Sequence, residues 1–280
     1  MENILQKIIP NLKKWNYVSG GDINRAIHAT DDKSDYFIKL NEHCADDFFS
    51  CEHSGLNFLK RHSEFRIPEV YAASIADGTF YLLMEYIKPG RRTPEYYEAF
   101  GYKLARMHQQ KGSLFGFSEN NYVGNLRQNN PFHDTWAEFY VKNRIMPFDD
   151  LLQNPTKENY NKILQLIQKK TAHVYPSPLH GDLWSGNHIP DENNMPVLID
   201  PSVYWGDRTI DIAMLELFGK PHPEFYCAYF SIFPKDDNWN FRLRLSTLYP
   251  LLVHARLFGG HYKYAAKELF AELLHWNEGD

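Results

Sequence analysis

The sequence predicts an α+β fold of two unequal lobes, a small N-terminal lobe with an antiparallel sheet and a larger helical C-terminal lobe. Three observations carry this. Short strand-like runs with turn residues between them alternate with helical spacing through the first 86 residues. From Pro94 onward, apolar residues recur at helical spacing. One stretch, 176–207, breaks that recurrence with crowded Pro, Gly, Asn and Asp around two short apolar runs.

Ile4, Ile8, Ile9 and Leu12 share one face of a first helix. Strands are expected over Arg25 to Thr30 and Tyr36 to Leu40, joined by the turn residues Asp31-Asp32-Lys33-Ser34. Phe48, Cys51, Gly55 and Phe58 then mark a helix, and two further strands, Val70 to Ile75 and Thr79 to Glu85, flank the hairpin signal Ala76-Asp77-Gly78. Beyond these, Tyr97, Phe100, Leu104 and Met107 form one helical stripe. Trp136, Phe139 and Tyr140 form a second, and Tyr160, Ile163, Leu164 and Ile167 a third. The expected division is an N-terminal lobe over 1–86 and a C-terminal lobe over 87–280. No internal repeat or low-complexity segment interrupts it.

With 43% hydrophobic and 23% charged residues among 280, the composition is that of an ordinary globular protein. The net charge of -5 and the lack of a long Lys/Arg run leave no source for the sequence-independent attraction that dominates nucleic-acid binding. Met1 to Lys14 mixes charged with apolar residues and does not read as a signal peptide. No apolar run approaches the roughly 18 residues of a membrane span. The expectation is a chain without nucleic-acid or membrane partners. Cys44, Cys51 and Cys227 have no C-x-x-C spacing, which fits a reducing, cytoplasmic setting. Cys44 and Cys51, seven apart, are expected on one helix as buried or half-buried thiols.

The chemistry is concentrated in His180-Gly181-Asp182-Leu183-Trp184-Ser185-Gly186-Asn187, followed by Val197-Leu198-Ile199-Asp200. Phosphoryl transfer to a hydroxyl needs a carboxylate to orient the alcohol and take its proton, and oxygen ligands for the magnesium that neutralises the phosphates. Asp182 and Asn187 have the kinase spacing of base and metal ligand, and Asp200 ends an apolar strand where the second metal ligand belongs. His-Gly-Asp alone also occurs in turns, with Asp as a helix cap and Gly at positive φ. The spaced Asn187 and the strand-terminal Asp200 separate the kinase reading from that one. His180, with only His188 nearby, is expected to be a structural hydrogen-bonding residue and not a zinc ligand.

A kinase loop in the second lobe makes demands on the first. ATP with Mg2+ requires a phosphate-covering turn, a strand lysine and a helical glutamate paired with it. Ser19-Gly20-Gly21-Asp22 supplies a turn in which Gly20 and Gly21 let the backbone approach phosphates; by itself Gly-Gly is also an ordinary hairpin turn. Lys39 lies inside an apolar strand, where a lysine must reach solvent or an anion, and Glu52 on the next helix is the expected partner. Tyr81 to Ile87 reads as a last strand entering a hinge, with adenine held by the backbone of Glu85, Tyr86 and Ile87. A plain buried strand has the same pattern.

With these residues placed, the sequence resembles the fructosamine kinase (ketosamine-3-kinase) family, a branch of the protein-kinase-like fold near the aminoglycoside and choline kinases. The likeness covers almost the whole chain. It is carried by Leu179 to Asn187 with Trp184 inside it, Gly116-Phe117, Asn121-Tyr122-Val123-Gly124 and Gln128-Asn129. It continues through Trp136 to Tyr140, Arg144, Asp200-Pro201, Gly206-Asp207-Arg208, Asp211, Leu248 to Leu252 and Phe258-Gly259-Gly260. The resemblance implies ATP-dependent phosphorylation of the 3-hydroxyl of a ketosamine, free or protein-bound, whose unstable 3-phosphate then falls away in deglycation repair. It assigns Asp182 as base, Asn187 and Asp200 as magnesium ligands, Lys39 as the α/β-phosphate contact and Glu52 as its anchor. Trp184 would stack on the sugar, face the substrate amine as a cation-π partner, or simply pack.

Several features depart from better-known kinases. Gly181 stands where protein kinases place Arg, and Pro201 follows Asp200. Only about ten residues separate Asp200 from Ile210, too few for a phosphorylatable activation segment, so a constitutively competent enzyme is expected. Asp22 beside the glycine turn would repel phosphates unless it points away. His254 and Arg256 on a late helix either shape the substrate pocket or face solvent. Two other readings stay open: a kinase of the same fold acting on an aminoglycoside, choline or a related amine, and a catalytically silent nucleotide-binding module.

Overall fold

The computed structural model describes residues 1–18 and 24–276. Helix α1 (Glu2–Ile8) leads into strands β1 (Lys14–Tyr17), β2 (Arg25–Thr30) and β3 (Asp35–Asn41), then helix α2 (Phe48–His62) and strands β4 (Val70–Ala76) and β5 (Thr79–Glu85). Among the described residues the strands form one antiparallel sheet in the order β1-β2-β3-β5-β4. The expected strands are present. Lys14 to Tyr17 is an additional edge strand, four residues long and mostly exposed, too short to show a period. Helix α1 ends before the expected Ile9 and Leu12. Ile9 is extended at φ -125°, ψ 94°, as the residue before Pro10 is driven to be. At the β4–β5 turn both Asp77 (φ 49°) and Gly78 (φ 76°) are left-handed, the backbone that a two-residue hairpin loop requires.

Alternation along β3 decides where Lys39 goes. Ile38 and Leu40 face α1 and pack with Leu5, Ile9 and Ile27. Phe37 and Lys39 therefore project to the opposite face, where α2 brings Phe48 and Phe49 against Leu82 and Met84. Cys44 lies ahead of α2 and not on it, which corrects the expectation of a shared helix, because the helix begins only at Phe48. Cys44 is half-buried, Cys51 buried and Cys227 exposed, all as free thiols.

The rest of the chain is mainly helical. Helix α3 (Pro94–Gln109) is capped by Thr93 and has Pro at its first position. A hairpin of β6 (Asn121–Val123) and β7 (Leu126–Gln128) follows. Helix α4 (Trp136–Tyr140) runs on through a π-turn (Val141–Ile145) into a 3₁₀ segment (Met146–Leu152), and α5 (Lys157–Thr171) starts with a capping box at Thr156 and Asn159. Next come four short strands, β8 (Ser177–Leu179), β9 (His188–Pro190), β10 (Pro196–Leu198) and β11 (Tyr204–Gly206), paired antiparallel as β8 with β11 and β9 with β10. Helices α6 (Thr209–Leu217), α7 (Pro223–Ile232), α8 (Trp239–Phe258) and α9 (His261–Leu274) close the chain.

The core beneath the short strands matters most for function. Leu183 and Leu198 are fully buried in one cluster with Phe100, Leu104, Ile212 and Phe225, so the loop between β8 and β10 is anchored from both ends by apolar contact. Among the described residues no helix is long and apolar enough to cross a membrane.

Candidate active site

Strand β8 delivers the chain to a sharp turn at His180-Gly181-Asp182. Gly181 has φ 82°, and a Cβ there would lie 2.1 Å from the Ser202 carbonyl oxygen, so both backbone and space demand glycine. Gly181→Ala is expected to displace the turn. Activity should be lost with a fall in thermal stability of about 1 kcal/mol or more, measurable by melting and by turnover.

The same turn is tied down by Asp211, a fully buried carboxylate in the first turn of α6. It accepts hydrogen bonds from the backbone N–H groups of His180 (2.8 Å) and Gly181 (2.9 Å), and from His108 Nε2 at 3.2 Å. His108 Nδ1 in turn accepts from the Tyr229 hydroxyl at 2.8 Å. Burial holds the His108 imidazole below its ordinary value despite the neighbouring Asp211, in keeping with this neutral tautomer. Asp211→Ala would strand two buried N–H donors, and a stability loss of about 3–5 kcal/mol is expected in chemical denaturation. Asp211 has no role assigned to it from sequence. A lone carboxylate in the apolar run Ile210 to Leu215 was a signal that it must be satisfied internally.

His180 is structural, as its isolation in sequence suggested. Its Nε2 donates to the Ile199 carbonyl at 2.8 Å and its Nδ1 accepts from Asp182 N at 3.3 Å, with burial keeping the ring's pKa low. These bonds aim the Asp182 carboxylate at Asn187. The Asn187 amide nitrogen donates to the Asp182 carbonyl (2.8 Å), to Asp182 Oδ2 (3.2 Å) and, at 3.4 Å, to the Asp200 carbonyl. Burial, with the Asp200 charge second, pushes the Asp182 carboxyl up to about 7.

Asp200 follows β10 in a left-handed conformation, φ 55°, unusual for a residue other than glycine and of the kind that accumulates at functional sites. Its Oδ1 lies 2.5 Å from Lys39 Nζ, which also reaches Glu52 Oε1 at 2.6 Å. Burial opposes the Lys39 charge, but Asp200 and Glu52 outweigh it and hold the ammonium above its ordinary value. Burial raises Glu52 in spite of Lys39.

Lys39, Glu52, Asp182, Trp184, Asn187 and Asp200 all line one cavity of about 630 Å³. Residues from β3, α2 and the β8–β10 loop, far apart in sequence, meet there. Trp184 is 40% exposed, its indole lying so close to Gly186 that a Cβ at that position would be 2.4 Å from the ring. Gly20 and Gly21 lie outside the described residues, although Asn24, just beyond them, lines the cavity. Glu85, Tyr86 and Ile87 link the sheet to the helical part and are not among the residues lining this cavity. The Glu85 carboxylate is held by Arg66 Nη2 at 2.6 Å, and Tyr86 stacks on His28 at 3.9 Å. His254 belongs to the cavity wall and stacks on Phe218 at 4.1 Å, with Tyr262 beside it. Arg256 instead turns to Asp150 at 2.6 Å and does not line the cavity. Tyr122, Phe218 and Tyr262 of the wall were not singled out as site residues from sequence, since an aromatic on a helix or hairpin looks the same whether it faces a core or a cleft.

A fructosamine kinase family model matches residues 4–276. The chain belongs to the fructosamine kinase family. A probable ketoamine kinase of Enterococcus faecium is 36% identical over 272 residues, covering 92% of this chain and 95% of that one. A protein-ribulosamine 3-kinase of the Arabidopsis thaliana chloroplast is 34% identical over 273 residues, covering 94% and 83%. A crystal structure of a candidate fructosamine-3-kinase from Haemophilus somnus superposes with a TM-score of 0.84 at 26% identity, covering 98% and 96%. As a fructosamine kinase family member the protein has the kinase-like, two-lobed α+β fold expected from its sequence, and its relatives are named as kinases.

Proposed function

We propose that this fructosamine kinase family member transfers the γ-phosphoryl group of ATP to the 3-hydroxyl of a ketosamine of the ribulosamine or fructosamine type, as a deglycation step in the cytoplasm. The observation that supports this best is the meeting, in one cavity, of a carboxylate with a pKa near neutrality, Asp182, and the buried Lys39–Glu52–Asp200 cluster. A base that is half ionised near neutral pH is suited to accept a hydroxyl proton.

In this reading Asp182 orients the hydroxyl and takes its proton as the oxygen bonds to the γ-phosphorus and the bond to ADP breaks. Lys39, steadied by Glu52, contacts the α- and β-phosphates. Gly20 and Gly21 cover the phosphates, and adenine lies against the backbone of Glu85, Tyr86 and Ile87, so that 1–86 forms the ATP-binding lobe and 87–280 the catalytic and substrate lobe. Trp184, half-exposed on the cavity wall, offers an aromatic face to the sugar or its amine.

Asp200 and Asn187 fit Mg2+. They present hard oxygen donors, and the Asn187 nitrogen is already committed to Asp182 and the Asp200 carbonyl, which leaves the amide oxygen as its ligand atom. Among the described residues no three His, Cys, Asp or Glu side chains are grouped to hold a metal by themselves. Magnesium takes one or two protein oxygens and completes its shell with waters and substrate phosphates. When bound, the ion supplies neutralisation of phosphate charge.

The test is a substrate panel of ribulosamine, fructosamine, an aminoglycoside and choline, with ATP consumption as the readout. Turnover of ketosamines is expected. Turnover of the other amines alone would keep the kinase assignment and remove the ketosamine.

A further inference from the structure

Helix α2 must hold Glu52 against Lys39, yet its N-terminus receives no cap from its own preceding side chain. Asp47, at that position, turns its carboxylate away to the β6–β7 hairpin. Its Oδ1 accepts from the Tyr122 hydroxyl at 2.6 Å and its Oδ2 from Arg127 Nη1 at 2.5 Å, while the same guanidinium nitrogen donates to the Tyr122 oxygen at 2.6 Å. The Tyr122 hydroxyl and Arg127 hold the Asp47 carboxyl below the ordinary carboxylate range. The Tyr122 ring lies 4.9 Å from that of Phe48, the first residue of α2.

This contact continues down one face of the helix. Phe48, Cys51, Glu52 and Gly55 share that face by their spacing. The Cys51 thiol donates to the Asn120 carbonyl at 3.3 Å, and Gly55 sits so close to Pro201 that a Cβ would lie 3.0 Å from its ring. The hairpin is in turn fixed to the residues that follow Asp200. Tyr122 O accepts from Ser202 Oγ at 2.5 Å, Asn121 Nδ2 donates to Val203 O at 2.8 Å, and Gln128 Nε2 donates to Ser202 O at 3.2 Å. The hairpin thus joins α2 on one side to the segment carrying Asp200 on the other.

We infer that the β6–β7 hairpin is the device that sets α2, with Asp47, Tyr122 and Arg127 as positioning residues that bring Glu52 to Lys39. The inference rests on the kinase reading above. It also explains how a chain with only about ten residues between Asp200 and Ile210 keeps its lysine–glutamate pair formed without a long activation segment. The hairpin occupies a fixed place of its own, so the ordering contact is built in and not switched.

Asp47 and Arg127 are exposed over about 45% and 43% of their side chains and do not line the cavity, whereas Tyr122, which both of them bond, does, so the part of an effect that runs through α2 is the part that depends on Glu52. The experiment is calorimetric titration of the full chain with MgATP, in the absence of any acceptor. Arg127→Ala and Asp47→Asn are each expected to weaken binding about threefold to tenfold, the range of a partly exposed ion pair in a network, and Arg127→Lys to recover most of it. In a Glu52→Gln background both effects should vanish, because the route runs through Glu52. Unchanged binding in both variants, or an undiminished effect in the Glu52→Gln background, would overturn the inference while leaving the kinase reading in place. Failure of the unsubstituted chain to bind MgATP would overturn the kinase reading itself, and the inference with it.

Discussion

Asp182→Asn is expected to lower turnover by at least ~10²-fold, the usual contribution of a positioned general base. Asparagine keeps the size and hydrogen-bonding reach of the side chain, so the loss isolates proton acceptance from packing. The pH dependence adds a second signature. With a carboxyl near 7, kcat/KM of the unsubstituted enzyme should rise through an acid limb centred near neutrality as Asp182 ionises, and the variant should lack that limb.

The same group also marks stability. Its folded-state pKa of about 7 lies above the ordinary value of 3.8, so folding favours the protonated form. The stabilisation linked to that proton is fully present below about 3.8 and is lost as pH rises through 7. Asp182→Asn should therefore raise Tm relative to the unsubstituted chain at pH 8 and do so much less at pH 5. Equal Tm differences at both pH values would remove the raised pKa from the account.

Asp200→Ala is the second large effect. Magnesium-dependent turnover should disappear, a fall of at least ~10³-fold, because one of the two proposed oxygen ligands and a partner of Lys39 go together. Alanine at φ 55° also adds backbone strain of roughly 1–2 kcal/mol. Asp200→Asn is the better-behaved control, since asparagine tolerates the left-handed region. Both variants should be inactive, with Asn the closer to normal in Tm. Turnover retained in either would reassign the metal ligand.

What could be read from the sequence was what lies close together along the chain. Asp182 and Asn187 are five residues apart in a loop whose spacing is fixed by the chemistry, and Asp200 terminates an apolar run that could only be a short buried strand. Lys39 was legible because a lysine inside an apolar strand must reach solvent or an anion, and Glu52 because it is an acid on the helix that follows. Contacts made across the fold left no local trace. Arg66 gripping Glu85 and Arg127 reaching Asp47 over 80 residues are pairs whose members look like ordinary polar positions, and Asp211 in its apolar run signals a buried partner without saying which. The early end of α1 was available in Pro10, which forbids helical backbone at Ile9. The placement of Cys44 was not, since a seven-residue interval is compatible with one helix until its start is known. The same holds on one helix: His254 and Arg256, two apart on α8, diverge because one turns to the cavity and the other to Asp150.

The central claim is transfer of phosphate to the 3-hydroxyl of a ketosamine with Asp182 as base. The measurement that tests it most directly is phosphorus NMR of the product formed from ribulosamine or fructosamine with ATP and Mg2+, run in parallel with the Asp182→Asn protein. The account predicts a sugar 3-phosphate resonance that grows with ADP and then decays, and its absence with the variant. Stoichiometric ADP with a phosphate elsewhere on the sugar, or equal product from both proteins, would contradict it.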